Sequence, residues 1–250
     1  MPGTTPQEGL WTFYQTLTAT HLQAALETLH DARERLASDS DHVRHIKARH
    51  SAISAIIHCY CALESALNLL GHEMFDDPES RRYICPQHRD VPLELLVKAW
   101  SRKLPIVEKL RFVVSRAGLT CSASLAAQLA ELTTLRNWLV HGFIYKTTLL
   151  LSRTGDTSFN VLGREDSVEW QKRFPNSKFQ PFDLLSYEDG VTALRIVFEA
   201  LKQLSAATEE SFTATPCYGE GLHIFVISKS TDVSAAIEEQ VGKKKQANGG

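Results

Sequence analysis

The chain of 250 residues predicts a mainly α fold: a helical bundle opened by a long N-terminal helical hairpin and closed by a small antiparallel β elaboration. Three observations carry this reading. Apolar residues recur at helical spacing through most of the sequence up to Gly142. The run Ser38-Asp39-Ser40-Asp41, rich in helix-capping residues, divides the first part of that stretch into two long arms. Strand-like segments, rich in β-branched and aromatic residues around turn chemistry, appear only after Gly142.

The first arm spans about Pro6 to Ala37, with Leu17, His21, Ala24, Ala25, Thr28 and Leu29 near one stripe. The second runs from about Asp41 to Gly71, where Ile46, Ile53, Ile56, Ile57, Tyr60, Leu63, Leu67 and Leu70 repeat at helical intervals. Two long helices joined by a short turn make an antiparallel hairpin. From Phe75 to Pro92, Asp76-Asp77-Pro78 and Cys85-Pro86 mark an irregular loop. Helices follow at Leu93–Trp100 and Pro105–Ala117, the second with proline in its first turn and Gly118-Leu119-Thr120 as its stop. Ser122 or Ser124 caps the next helix, which runs through Leu125, Leu129, Leu132, Leu135 and Leu139 to His141-Gly142. Gly142 stands where a helix end favours a left-handed residue.

Phe143–Ser152 and Ser158–Leu162 read as strands joined at Arg153-Thr154-Gly155-Asp156. Pro175 and Pro181 punctuate an irregular stretch before a helix from about Tyr187 to Phe212, and Leu222–Ser228 reads as a third strand. The expectation is one domain over 1–242: helical over 6–142, β at 143–162 and 222–228, and a helix at 187–212. A solvated tail occupies 243–250.

The formal net charge is -2, so no global positive field attracts nucleic acid, and binding a polyanion requires a local or shared patch. Five cysteines, an odd number, with no charged-then-apolar leader ahead of them, suggest reduced thiols and a cytoplasmic location. No uninterrupted apolar run approaches the roughly 18–20 residues that cross a bilayer, so no membrane association is expected.

The chemistry concentrates in Arg136-Asn137-Trp138-Leu139-Val140-His141. Asn137 and His141, four apart, share a helix face. Arg136 and His141 diverge by about 140° on a regular helix, although a long arginine side chain can swing toward that face, above all if the helix frays at Gly142. A cation, an amide and an imidazole at one helix end are the groups that RNA cleavage without metal requires. The imidazole moves a proton, the guanidinium meets phosphate oxygens, and the amide orients the histidine ring or the phosphate.

RNWLVHG at the end of a leucine-rich helix resembles the signature of the HEPN superfamily: an arginine, commonly followed by asparagine, and a histidine a few residues on. Upstream, CALESALNLLG (Cys61 to Gly71) resembles the family's earlier helix, in which a polar residue faces the motif. Glu64 is the matching position, with Asn68 one turn further, and the helix carrying Lys109 also resembles the pattern. Bare spacing does not select the motif, since Arg35 with His42, Arg44 with His50, and Arg81 or Arg82 with His88 also satisfy it. Asparagine beside the arginine, apolar residues between, glycine after the histidine and a preceding helix do.

The resemblance implies a helical bundle, usually dimeric, in which paired motifs face each other across the two-fold. It implies a metal-independent endoribonuclease of toxin–antitoxin or antiviral-defence type, leaving a 2′,3′-cyclic phosphate. His141 would transfer protons, Arg136 stabilise the transition state, Asn137 orient and Glu64 assist. No cofactor or metal is expected. RNA, a second copy of the chain, and an antitoxin or defence-system protein are the implied partners. The alternative is a catalytically silent HEPN module that binds a protein or nucleotide.

Other constellations carry less. Cys59 and Cys61 point about 200° apart on a helix, which argues against zinc with Cys85 and His88. His42, Arg44, His45, Lys47, Arg49 and His50 form a solvated face or a phosphate-tracking surface, and Lys103, Lys109, Arg111 and Arg116 form a weaker one. Trp11, Trp100, Trp138 and Trp170 read as core or interface anchors.

Overall fold

The computed structural model describes residues 17–38, 41–75, 100, 104–141, 147–151, 159–164, 170–181, 184–218 and 221–242. The expected first arm before Leu17, most of the loop to Pro92, the helix from Leu93 and the tail from Lys243 lie outside them. The fold is mainly helical with small antiparallel β pairs.

Helix α1 (Thr18–Ser38) buries Leu22, Ala25, Leu26 and Leu29, each at most 1% exposed. The stripe is rotated from the expected one, because Leu17 is 60% exposed while Leu22 and Leu26 face inward. Helix α2 (Asp41–Phe75) lies alongside, with Leu17 N donating to Ser65 Oγ at 3.1 Å and His21 facing His58. Gly71 does not end α2. It lies inside the helix under Trp100, whose Cζ2 would stand 1.9 Å from any Cβ there. The glycine serves close approach rather than termination. Over Ile46–Gly71, α2 is by length and composition long and apolar enough to cross a membrane. Here half of that stretch is buried within the fold, with Ala55, Ile56, Leu63 and Leu67 fully covered.

Helix α3 (Ile106–Arg116) starts after Pro105 and stops at Gly118, whose φ of 77° only glycine adopts readily. Helix α4 (Ala123–His141) is capped by Ser122, whose Oγ accepts from Leu125 N at 3.1 Å. Its Leu125, Leu129, Leu132 and Leu135 enter the core. Strands β1 (Thr147–Leu151) and β2 (Phe159–Arg164) pair antiparallel from Thr147↔Arg164 to Leu151↔Phe159, with an irregularity after Thr148. Residues 143–146, 152 and 158 of the expected strands lie outside the described residues.

Helix α5 (Tyr187–Thr208) is the centre of the core, buried on nearly every side through Leu194, Val197, Phe198, Leu201 and Leu204. A reciprocal Ser186–Asp189 capping box starts it. It ends at Thr208 rather than near Phe212, because Glu209 turns left-handed at φ 61°. The chain then enters β3 (Phe212–Ala214). The expected Leu222–Ser228 strand splits between two ribbons: β4 (Cys217–Tyr218) pairs with β5 (Gly221–Leu222), and β6 (Phe225–Ile227) pairs with β3. A helix absent from the sequence reading, α6 (Val233–Gly242), follows, with Asp232 Oδ1 accepting from Ser234 N and Ala235 N.

Candidate functional site

Helices α2 and α4 pack so that Tyr60 and Cys61 on one face Thr133 and Arg136 on the other, with Glu64 beside the first pair and Asn137 beside Arg136. Each set recurs at three- or four-residue intervals and so lies on one side of its helix. The Arg136 Cζ stands 4.9 Å from the centre of the Tyr60 ring, within cation–π range. Its Nη1 donates to Asn137 Oδ1 at 3.1 Å, while its Nε–H is buried without a partner among the described residues.

Burial pushes the Tyr60 hydroxyl pKa up, and the Glu64 carboxylate adds to this, while Arg136 and a bond to Thr133 oppose it. The Cys61 thiol is likewise pushed up, first by burial and then by Glu64, against Arg136, to which it is hydrogen-bonded. Glu64 therefore joins the cluster through Tyr60 and Cys61; among the described residues it forms no ion pair. Tyr60, Cys61 and Thr133 were missed in the sequence, although their offsets from Glu64 and Asn137 are helical contact spacings.

One turn along α2, Asn68 Oδ1 accepts from Lys109 Nζ at 2.7 Å. Lys109 is 0% exposed. It therefore leaves the proposed phosphate-tracking surface: the pairing draws the ammonium inward, where burial requires a polar partner. Arg111 remains exposed beside Glu108 at 3.0 Å, and Arg116 lies over Phe112. In the other basic run, Lys47 and Arg49 are half-buried and His50 is exposed, while the side chains of residues 41–45 lie outside the described ones.

His141 is not brought to this cluster. It is exposed at the last position of α4 and makes no hydrogen bond or ion pair among the described residues. The divergence of about 140° along a regular helix accounts for it: the side that turns Arg136 toward α2 turns His141 away. Asn137 stays with Arg136.

Cys59 and Cys61 occupy separate surroundings, the first sealed in the core at 0% exposure and the second half-buried beside Arg136. Among the described residues no group of three or more histidine, cysteine or carboxylate side chains is placed to hold a metal ion. Cys85 and His88 lie outside them. Trp138 and Trp170 pack edge to face at 5.2 Å, and Trp170 is 1% exposed, as core anchors would be. Comparison of the chain with family models, with curated proteins and with solved structures found no match.

Proposed function

We propose that this protein is a metal-independent endoribonuclease of the HEPN type, acting as a cytoplasmic homodimer in a toxin–antitoxin or antiphage setting. In this reading α2 to α5 form the family bundle, and α1 with the β pairs are additions. The observation that carries it is the end of α4: a guanidinium seated against Tyr60, Cys61 and Asn137, followed by an exposed imidazole at the helix terminus.

In the reaction, the ribose 2′-hydroxyl loses its proton and attacks the adjacent phosphorus. The P–O2′ bond forms and the P–O5′ bond breaks, giving a 2′,3′-cyclic phosphate and a 5′-hydroxyl that takes up a proton. His141 serves the proton transfers and Arg136 balances the charge of the phosphorane. Asn137 orients Arg136, and Glu64 assists from α2. Because His141 stands apart from Arg136 within one chain, the site is complete only when two copies meet around a two-fold.

The test is cleavage of single-stranded RNA in EDTA by purified protein, with end-group analysis. His141→Ala should lower the rate by about a hundredfold or more, and Arg136→Ala by roughly 3 kcal/mol of transition-state stabilisation. Sedimentation should give a dimer. Cleavage that survives both substitutions removes the site assignment.

A second reading, a silent HEPN module that binds a protein or nucleotide, is favoured by the inward engagement of Arg136 with Tyr60. Intact RNA under all conditions, together with capture of a defined partner, would select it.

A further inference from the structure

The segment 170–181 holds Lys172, Arg173 and Lys178 and no carboxylate. It folds back over the first half of α4 and is fixed through Ser177. The Ser177 hydroxyl accepts from Trp170 Nε1 at 2.9 Å and from Phe179 N at 2.9 Å, and donates to Glu131. Glu131 is 6% exposed and also accepts backbone N–H bonds from Phe179 and Lys178. Its acceptors are therefore spent on holding the segment in place.

Between this segment and α4 lies a cavity of about 290 Å³. Besides the anchoring Glu131 and Ser177, which also line it, Ser124, Gln128, Arg173, Asn176 and Lys178 bring polar groups to it, Lys178 attracted by the Glu131 carboxylate. Ala127, Phe174 and Pro175 form an apolar wall, with the Arg173 guanidinium 5.6 Å over the Phe174 ring. The side chains of Ser124, Gln128 and Asn176 make no hydrogen bond among the described residues, and Arg173 has no ion pair there. Two cations, uncommitted amides and a hydroxyl beside a flat apolar wall match the groups of a nucleotide: a phosphate that Arg binds bidentately, and a ring that stacks on an aromatic. At about 290 Å³ the volume lies just below the roughly 300–1,000 Å³ typical of small-molecule sites, which limits the occupant to about one such unit.

The site is separate from the Arg136 cluster. Ser124, Gln128 and Glu131 recur on one face of α4, and Arg136, five residues after Glu131, lies about 140° round the helix.

We propose that this cavity binds one nucleotide unit, its phosphate on Arg173 and Lys178 and its base against Phe174 and Pro175. The unit is either a free mononucleotide or one residue of an RNA strand, and only the second source rests on the ribonuclease reading.

Calorimetric titration of the full chain with AMP and with a short 2′-O-methyl oligoadenylate, which has no free 2′-hydroxyl to attack, tests it. AMP should bind with salt-sensitive affinity, and Arg173→Ala with Lys178→Ala should weaken it by at least about tenfold, the scale of losing a charged hydrogen bond. Phe174→Leu should weaken AMP more than inorganic phosphate, the part common to both reporting the Arg173 guanidinium that rests on that ring. Lys172→Ala, outside the cavity, should leave binding unchanged. Competition between AMP and the oligonucleotide identifies an RNA subsite; AMP binding alone identifies a free-ligand site. Undisturbed binding in Arg136→Ala and His141→Ala keeps the result independent of the cleavage reading. No binding of either probe at millimolar concentration, or equal binding by the Arg173/Lys178 double variant, overturns the proposal.

Discussion

Arg136 is tied to the stability of the fold through Tyr60, and the size of that tie decides how its variants are read. The guanidinium is 4.9 Å from the ring centre, where such a pair contributes about 0.5–1 kcal/mol when exposed and ~2 kcal/mol when desolvated. Tyr60 is 7% exposed and Arg136 half-buried, so about 1 kcal/mol is expected. A single Arg136 variant does not report this value. Truncation frees Asn137, but it also removes the buried Nε–H that lacks a partner, whose burial costs about 1–3 kcal/mol. The two effects oppose each other.

A double-mutant cycle of Arg136→Met and Tyr60→Leu cancels them and leaves the pair. Urea denaturation followed by tryptophan fluorescence should give a coupling of about 1 kcal/mol, equivalent to roughly 2–4 °C in Tm for a chain of this size. A coupling below about 0.3 kcal/mol, the level at which independent sites add, would refute the contact as a determinant of Arg136 position. His141→Ala is the companion. Exposed and without a partner among the described residues, it should change stability by no more than about 0.5 kcal/mol. Loss of cleavage in that variant then reports chemistry rather than unfolding.

Gly71→Ala adds about 0.5–1 kcal/mol of helix preference but places a methyl 1.9 Å from Trp100 Cζ2, an overlap costing about 1–3 kcal/mol. Thermal melts should show net loss, reversing to a gain when Trp100→Ala is also present. Burial raises the Glu131 pKa above the ordinary carboxylate range, against hydrogen bonds from Ser177 and the backbone. The folded state holds that proton more tightly, so stability should fall as pH rises through the window just above the ordinary value, and Glu131→Gln should flatten the slope there. Burial, and then His21, lower the pKa of His58, whose Nδ1 lies 3.1 Å from that of His21. The unfolded chain binds that proton more readily, so stability should drop as pH falls below the ordinary histidine value. Denaturation curves between about pH 7 and 5 should lose this slope in His58→Gln.

Elements whose signals are local were legible along the chain. Helical periodicity marked α1 and α2, Ser122 and Gly118 marked helix limits through capping and a positive φ, and the turn-forming residues Arg153-Thr154-Gly155-Asp156 marked off β1 from β2. The strand expected over Leu222–Ser228 was legible only in part: Phe225 and Ile227 are buried, whereas the equally apolar Leu222 and Ile224 are more than 70% exposed. The pairing was not, because a period of two fixes which face is buried and says nothing about which strand lies alongside. The reason for a glycine at position 71, inside α2, was not legible either. Its role depends on Trp100, 29 positions away in the chain. At the candidate site helix geometry separates Arg136 from His141, and the swing of the long arginine toward the histidine face, which the sequence allowed, is not seen, since Arg136 lies on Tyr60. Only packing chose which of the two faces α2. The same packing took Lys109 out of the basic surface and made Asn68 its partner. A charged side chain reads as solvated in sequence, and becomes a core residue only where the tertiary structure offers it a hydrogen-bonding partner in the interior.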